Sequence, residues 1–293
     1  MSDAVYYLVD VFAEEKLAGN QLAVIQNAGS FHITLMQKIA NEFHFSESTF
    51  LLSVQKQNGG YDVRIFTPFI EVPFAGHPTL GTAYVIKQFI DPLHSNEIIL
   101  NLKVGQITVT FRKDENGNEI VWMKQLFPTF GKIFEASKFC EILNLDVSDF
   151  DNFPIQEVST GISFIIVPLK SLKAVKQAKV NLEKQLQAGE EFRRGILVFC
   201  PQTYHKENDL NVRVFVDAYG IPEDPATGSG NGCLAGYLSK YQYFGGSLVK
   251  ARVEQGCEIG RSSILRIEAE NRDGNIHINV GGKVILVAKG ELV

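Results

Sequence analysis

Two ionisable side chains in the first half of this sequence lie beside predicted helix ends. Glu47 stands between the end of a predicted helix and a strand, with Phe45 and Phe50 nearby. A carboxylate in apolar surroundings holds a proton more tightly, as a general acid/base must. His77 immediately precedes Pro78 at the entrance of another predicted helix. Both remain open to structural readings: Glu47 as a solvated connector, and His77 as a residue that orders its loop.

The second half contains an unusual glycine-rich stretch, from Glu223 to Leu238, that follows a strand at 212–216. Glycine inside a helix costs about 1 kcal/mol relative to alanine, so this density suggests that a ligand approaches the backbone closely. Asp224 is a candidate site residue, or else a turn-former or a helix cap. Ser229 is a natural N-cap residue that could equally hydrogen-bond a ligand. The stretch is interpreted as one half of a ligand site.

The surrounding elements repeat in order. A capping box of Thr34 and Gln37 starts a helix that ends near His44, and Pro78 suits the first turn of a helix from Thr79 to Phe89 that is apolar nearly all round. Other predicted helices cover 136–143 and 172–186. The predicted strands cover 6–12, 22–25, 49–52, 61–66, 97–102, 106–111, 120–123, 156–158, 164–167, 195–199, 212–216, 250–254, 264–269, 276–280 and 284–289.

The repeat predicts two pseudo-equivalent domains that face each other across a cleft. Ala75-Gly76-His77-Pro78 matches Thr227-Gly228-Ser229-Gly230, and in that register Arg64 parallels Arg213. We expect residues 1–124 to form one domain and 125–283 the other, with the strand at 284–293 returning to the first. The N–H groups of Gly76, Gly228 and Ser229 at the two helix entrances would then bind a carboxylate.

Bulk composition excludes several functions. The 293 residues are 45% hydrophobic and carry a net charge of −5 without any Lys/Arg-rich run, so neither nucleic-acid binding nor a membrane span is expected. The N-terminus has no secretory pattern, and the four scattered cysteines fit a reducing cytoplasm. There is no HExxH, no P-loop and only a broken GxGxxG. Proton transfer without a metal or bound cofactor is what remains.

Several motifs together resemble the phenazine-biosynthesis isomerase (PhzF-like) family along nearly the whole chain. The longest motif extends from Arg64 to Ala83 and contains Ala-Gly-His-Pro-Thr-Leu-Gly. The others are Gly19-Asn20, Ser46–Phe50, Glu223–Ser229 and Val253–Gly256. The resemblance implies the α+β diaminopimelate-epimerase-like fold, in which each of two domains is a curled, barrel-like sheet around a central helix, with the active site in the inter-domain cleft.

The resemblance also implies roles for particular residues. It assigns Glu47 as the acid/base, His77 and Asp224 as catalytic partners, and Ser229 and Asn20 as substrate-binding residues. The implied reaction is isomerisation of a trans-2,3-dihydro-3-hydroxyanthranilate-type ring: a proton leaves C3 and returns at C1, and the enol becomes a ketone. A homodimer without a cofactor, acting on a small carboxylate-bearing metabolite, is implied as well.

One departure narrows the alternatives. The related epimerases use two cysteines just before the glycines that open the central helices, and those places hold Ala75 and Thr227 here. Neither side chain exchanges a proton with carbon, so two-base racemisation of an amino or hydroxy acid is not favoured. Exchange at a stereocentre in deuterated water would distinguish it. A catalytically inactive small-molecule-binding or regulatory homologue is the remaining alternative, and failure of all candidate carboxylates to react would favour it.

Overall fold

The computed structural model describes residues 4–92, 96–217 and 221–293, and the chain divides into two compact units. The first unit comprises Met1–Lys124 and Gly281–Val293, and the second comprises Gln125–Val280. Within these described ranges, no helix is both long and apolar enough to cross a membrane.

The described part of the first unit contains a mixed sheet and two α-helices. Its elements are β1 (Ala4–Val11), β2 (Asn20–Ile25), α1 (Ile33–Phe43), β3 (Glu47–Leu51), β4 (Tyr61–Phe66), β5 (Glu71–Val72), α2 (Gly76–Val85), β6 (Glu97–Leu102), β7 (Gly105–Lys113), β8 (Glu119–Lys124) and β18 (Val284–Leu292). Strands β2 and β3 are parallel, as are β4 and β6, whereas the pairs β1/β18, β1/β2, β3/β4, β4/β5, β6/β7 and β7/β8 are antiparallel.

Helix α2 is the centre of the first unit. It contacts β1, β2, β3, β6, β7, β8 and β18, so the sheet curls around it, and nearly all of its residues are buried. Gly81 permits this packing, because a Cβ atom there would lie 2.5 Å from Cδ2 of Leu22 and 2.9 Å from Cγ2 of Val11. The helix begins at Gly76, three residues earlier than predicted, and continues as a π-helical turn at Ile86–Ile90.

Helix α1 covers the opposite face of β3 and β4. Met36, Ile39 and Ala40 pack with Phe50 and Phe66 in one buried cluster. The predicted capping box is wrong: the N-cap is His32, whose Nδ1 accepts a hydrogen bond from the Thr34 N–H. The Gln37 amide instead donates to the carbonyl of Thr67, so α1 is tied to the loop after β4.

The second unit repeats the pattern. Its elements are β9 (Thr129–Phe134), α3 (Ala136–Leu143), β10 (Ile155–Ser159), β11 (Ser163–Pro168), α4 (Leu172–Gln177), α5 (Leu182–Ala188), β12 (Gly195–Cys200), β13 (Leu210–Val216), β14 (Ile221–Asp224), α6 (Gly228–Lys240), β15 (Val249–Gln255), β16 (Ser263–Arg272) and β17 (Asn275–Gly282). Strands β11 and β12 are parallel, as are β13 and β15, whereas β9/β10, β10/β11, β12/β13, β13/β14 and β15/β16 are antiparallel.

Helix α6 is the central helix of the second unit. It contacts β10, β11, β12, β15 and β16, and it is buried from Gly230 to Ser239. The helices α3, α4 and α5 pack with residues of β11 and β12 in an apolar cluster. The predicted helix at 172–186 is in fact α4 and α5, because Asn181 caps a new helix by accepting from the Lys184 N–H. Each unit therefore has the predicted α+β architecture of a curled sheet around a central helix.

Candidate active site

Glu47 is the first residue of β3 and faces the central helix α2. It pairs with Leu22 of the parallel strand β2. Side chains alternate along a strand, so Glu47 shares a face with Thr49, whose hydroxyl shares a 2.8 Å hydrogen bond with that of Thr82 in α2. The Glu47 side chain is 19% exposed, so its carboxyl lies at the margin of the core and remains reachable from outside.

His77 lies in the first turn of α2, with its ring buried against β2 and β3. The backbone carbonyl of Gln21 accepts a hydrogen bond from the imidazole, and burial lowers the pKa of His77 to about 3. The bond to Gln21 uses Nδ1, because Nε2 is a buried atom with no hydrogen-bond partner among the described residues. Nε2 lies 3.5 Å from Oε2 of Glu47.

This geometry has a chemical consequence. A neutral imidazole with its proton on Nδ1 presents a lone pair at Nε2. The position of His77 at a helix N-terminus adds to the preference for the neutral ring, because the helix dipole is positive there. The Nε2 lone pair therefore faces Oε2 of Glu47, and a proton on the carboxyl group would bridge the two atoms. The pair is suited to hold and release one proton.

The other two predicted residues of the first unit lie near this pair in sequence or in structure. Asn20 is the first residue of β2, is 1% exposed, and immediately precedes Gln21. Gly76 is the first residue of α2, and its N-cap is Ala75, whose carbonyl accepts from both the N–H and the hydroxyl of Thr79. The N-terminal N–H groups of α2 thus begin directly before His77.

An arginine–glutamate clamp precedes each central helix. Nε and Nη2 of Arg64 donate to the two oxygens of Glu71 at 2.8 and 2.7 Å, and the same atoms of Arg213 donate to Glu223 at 3.0 and 2.7 Å. Each glutamate stands five residues before the first residue of its helix, Gly76 or Gly228. The same bidentate geometry thus fixes β5 and β14, and with them both helix entrances.

In the second unit, Asp224 ends β14 and is held to the start of α6. Its Oδ2 accepts a 2.5 Å hydrogen bond from the hydroxyl of Thr227. The α6 helix begins at Gly228, so the N-cap is Thr227 and not Ser229, which is the second residue of the helix. Ser229 is half-buried, and Gly228 and Ser229 contribute N–H groups to the first turn of α6.

Sequence reasoning did not identify Arg213 and Gln255 as residues that hold this region. Nη1 of Arg213 donates to the carbonyls of Val175, Lys176 and Ala178, so the clamp also ties down the end of α4. Gln255 is fully buried and bonds to the Asp224–Thr227 turn. The repeated spacing of Arg, Phe and Glu before both helices was the available signal for the clamps.

Across the described parts of the chain, no group of three or more His, Cys, Asp or Glu side chains is arranged to hold a metal ion.

Comparison with known proteins agrees with this architecture. The family model described as phenazine biosynthesis-like protein (PhzC-PhzF) matches residues 9–290. The chain belongs to the PhzC-PhzF family. A trans-2,3-dihydro-3-hydroxyanthranilate isomerase from Pseudomonas fluorescens is 33% identical over 98% of this chain and 99% of the relative. Relatives in the PhzC-PhzF family are named isomerases, and this chain is an isomerase.

Solved structures show the same fold. The crystal structure of a PhzF-family phenazine biosynthesis protein from Bacillus anthracis matches with a TM-score of 0.92 and 27% identity, over 100% of both chains. A probable proline racemase from Agrobacterium radiobacter K84 matches with a TM-score of 0.58 over 99% of this chain and 93% of that one. At 11% identity, the second match shows the fold alone.

Proposed function

We propose that this isomerase moves a proton between two carbons of a small carboxylate-bearing metabolite, with Glu47 as the general acid/base. The observation that carries the proposal is the 3.5 Å approach of Glu47 Oε2 to Nε2 of a buried, neutral His77. The Glu47 carboxyl is partly exposed, so it can reach a substrate. The neutral His77 ring can accept a hydrogen bond from that carboxyl but does not take its proton.

The proposed reaction has two proton transfers. In the first, an oxygen of Glu47 takes a proton from an sp³ carbon, and the C–H electron pair enters the conjugated system of the substrate. In the second, the carboxyl returns a proton to a different carbon of that system, and the resulting enol becomes a ketone. The enol gives up its hydroxyl proton as a ring carbon takes one up from solvent, so charge and atoms balance without an oxidant, and the net change is the position of two hydrogens and of the double bonds.

His77 acts on Glu47 in this proposal. Its Nδ1–H is held by the carbonyl of Gln21, so the ring cannot turn to present a donor at Nε2. Nε2 therefore accepts a hydrogen bond from the carboxyl when Glu47 is protonated, and its lone pair faces Oε2 when Glu47 is not. The neutral ring thus leaves Glu47 as the group that takes up and returns the proton, and Nε2 holds the carboxyl in one orientation while it is protonated.

Asp224, Gly228, Ser229, Asn20 and Gly76 stay proposed substrate-binding or catalytic residues. Support comes from chemistry: first-turn N–H groups of a helix attract carboxylates, and a carboxylate such as Asp224 accepts from amino or hydroxyl groups. The substrate class proposed is the one named for the Pseudomonas fluorescens relative, a cyclic dihydro-3-hydroxyanthranilate. The implied homodimer and cytoplasmic location also stay predictions, and light scattering on purified protein tests the first.

Two-base epimerisation gains no support from the residues at the helix entrances. Ala75 and Thr227 are the N-cap residues of the two central helices, and neither has a thiol. Thr227 is also engaged through its hydroxyl with Asp224.

Turnover of trans-2,3-dihydro-3-hydroxyanthranilate tests the proposed function. The wild-type protein should consume it, and Glu47→Gln should lower kcat by about 100-fold or more, because an amide cannot carry the proton. Glu42→Gln is a matched control, since Glu42 is exposed on α1 nearby in sequence. Wild-type turnover by Glu47→Gln would refute the role of Glu47, and no turnover by the wild type would refute this substrate.

A further inference from the structure

Three polar side chains of the second unit form a hydrogen-bond chain that ends on Asp224. Nε2 of Gln255 donates to the hydroxyl of Thr227 at 3.0 Å, and that hydroxyl donates to Oδ2 of Asp224 at 2.5 Å. Gln255 is fully buried, Thr227 is 9% exposed, and Asp224 is half-buried. Two buried residues therefore stand behind a carboxylate that solvent can reach.

The direction of this chain is fixed by the other bonds of Gln255. Its Oε1 accepts from Nδ2 of Asn231 at 2.9 Å and from the N–H of Thr227 at 3.2 Å, so Oε1 is the acceptor end of the amide. Nε2 gives one proton to the backbone carbonyl of Asp224 at 2.8 Å and the other to the Thr227 hydroxyl. The hydroxyl has one proton, and it points at Asp224.

Ordinary helix capping does not account for Thr227. A threonine at an N-cap usually accepts a hydrogen bond from an N–H of the first turn, which is worth about 1 kcal/mol. Thr227 occupies the N-cap of α6 and makes no such bond. Its hydroxyl is directed to Asp224 instead, so the common stabilising contact is absent and a contact to a proposed site residue is present.

The first unit builds the same helix entrance without this chain. By spacing from the helix start and by strand register, Val72, Ala75 and Leu102 take the places of Asp224, Thr227 and Gln255. None of the three has a polar side chain, yet α2 begins at Gly76 just as α6 begins at Gly228. The entrance of a central helix in this fold therefore does not need the hydrogen-bond chain.

We propose that Thr227 and Gln255 are positioning residues for the isomerase reaction. They hold the Asp224 carboxylate in one orientation and as a hydrogen-bond acceptor, so that it meets a donor group of the substrate without rearranging. This inference rests on the proposed function, in which Asp224 contacts the substrate.

The test is a double-mutant cycle on kcat/KM for trans-2,3-dihydro-3-hydroxyanthranilate, with Thr227→Val and Asp224→Asn singly and together. Thr227→Val keeps the shape and removes the donor, and we expect kcat/KM to fall about 10- to 100-fold. In the Asp224→Asn background the same change should have an effect within about threefold, because the hydroxyl acts through the carboxylate. Thr227→Ser keeps the hydroxyl donor, so it should retain most of the wild-type kcat/KM.

A second variant reverses the direction of the hydrogen bond between residue 255 and Thr227. Gln255→Glu has no donor for Thr227, so the hydroxyl should turn towards position 255 and the loss should match that of Thr227→Val. Thr160→Val is the control for removing a buried hydroxyl in the same unit, since the Thr160 hydroxyl contacts only Cys233 Sγ, at 3.6 Å, among the hydrogen bonds described for it. Circular dichroism and thermal midpoints identify any variant that fails to fold, and Thr227→Ala replaces Thr227→Val in that case.

The outcomes separate the two proposals. Full activity of Asp224→Asn would overturn the proposed role of Asp224, and the positioning role with it. Impaired Asp224→Asn together with wild-type kinetics of Thr227→Val would overturn the positioning role alone. Additive losses in the double variant would also overturn it, because they would show that Thr227 acts independently of Asp224. Binding of anthranilate by calorimetry supplies the same cycle if turnover is absent: non-additive losses support the positioning role, and additive losses or no binding reject it.

Discussion

Glu47 and Gly195 occupy equivalent positions in the two units. Glu47 is the first paired residue of β3 and faces Leu22 on a parallel neighbour, and Gly195 is the first paired residue of β12 and faces Phe164 on a parallel neighbour. The clamp arginines of the following strands confirm this equivalence. Arg64 pairs with the residue three positions after Glu47, and Arg213 pairs with the residue three positions after Gly195. The proposed proton carrier thus has no carboxylate counterpart, and the two repeats have separate chemical tasks.

The packing around Gly195 leaves no room for a side chain at the position equivalent to Glu47. A Cβ atom there would lie 2.6 and 2.7 Å from ring carbons of Phe164, which is itself buried. We expect Gly195→Ala to destabilise the protein by about 1–3 kcal/mol through overpacking. Gly246→Ala is the control, because a Cβ at Gly246 meets nothing within 4 Å. Urea unfolding measures both, and equal stability of the two variants would contradict the argument.

The buried His77 should make stability depend on pH. Its pKa is lowered from 6.5 to about 3 by burial, so the unfolded chain binds this proton more readily than the folded one. The stabilisation is fully present above pH 6.5 and is lost as pH falls from 6.5 towards 3, at up to about 1.4 kcal/mol per pH unit. Unfolding by urea across that range should show this slope in the wild type.

His77→Gln should remove that component of the slope, because glutamine does not titrate. His205→Gln is the matched control, since His205 is exposed. An unchanged slope in His77→Gln would show that His77 is protonated equally in both states and would contradict the neutral ring on which the proposed function depends.

The clamp arginine of the second unit should be sensitive to a lysine substitution. Arg213 and Glu223 have side chains only 11% and 8% exposed, and lysine cannot reproduce the bidentate bond or the carbonyl contacts of Nη1. We expect Arg213→Lys to lower the free energy of unfolding by about 2–4 kcal/mol. Arg272→Lys, in the exposed pair with Glu270, should change it by less than about 0.5 kcal/mol. Similar losses in both variants would argue against the clamp.

Much of the architecture could be predicted from local pattern. The apolar runs after Gly76 and Gly228 indicated two central helices, and α3 lies at 136–143 as predicted, because burial and periodicity act within a few residues. Errors arose where local signals compete with tertiary contacts. Gln37 bonds to Thr67 and not to its own helix end, and α2 begins at Gly76 and not at Thr79, although Pro78 lies in its first turn as predicted.

The site was predictable in its residue types and not in its network. Motifs indicated Glu47 and His77, and the structure brings them into contact. The partners of Asp224 were not visible, because Gln255 is 28 residues from Thr227 in sequence and meets it only through the pairing of β13 with β15. The short strands β5 and β14 were also missed, since each is stabilised by a clamp that spans 7 or 10 residues.

The most direct test of the role of Glu47 is deuterium transfer to carbon in D₂O. Substrate and product of trans-2,3-dihydro-3-hydroxyanthranilate turnover are followed by mass spectrometry for wild type, Glu47→Gln and Glu42→Gln. We predict that wild type and Glu42→Gln place deuterium at the carbon that receives the proton, because the partly exposed Glu47 carboxyl exchanges its proton with solvent. Glu47→Gln should incorporate none above the uncatalysed rate. Incorporation by Glu47→Gln at the wild-type rate would contradict the assignment of Glu47 as the proton carrier.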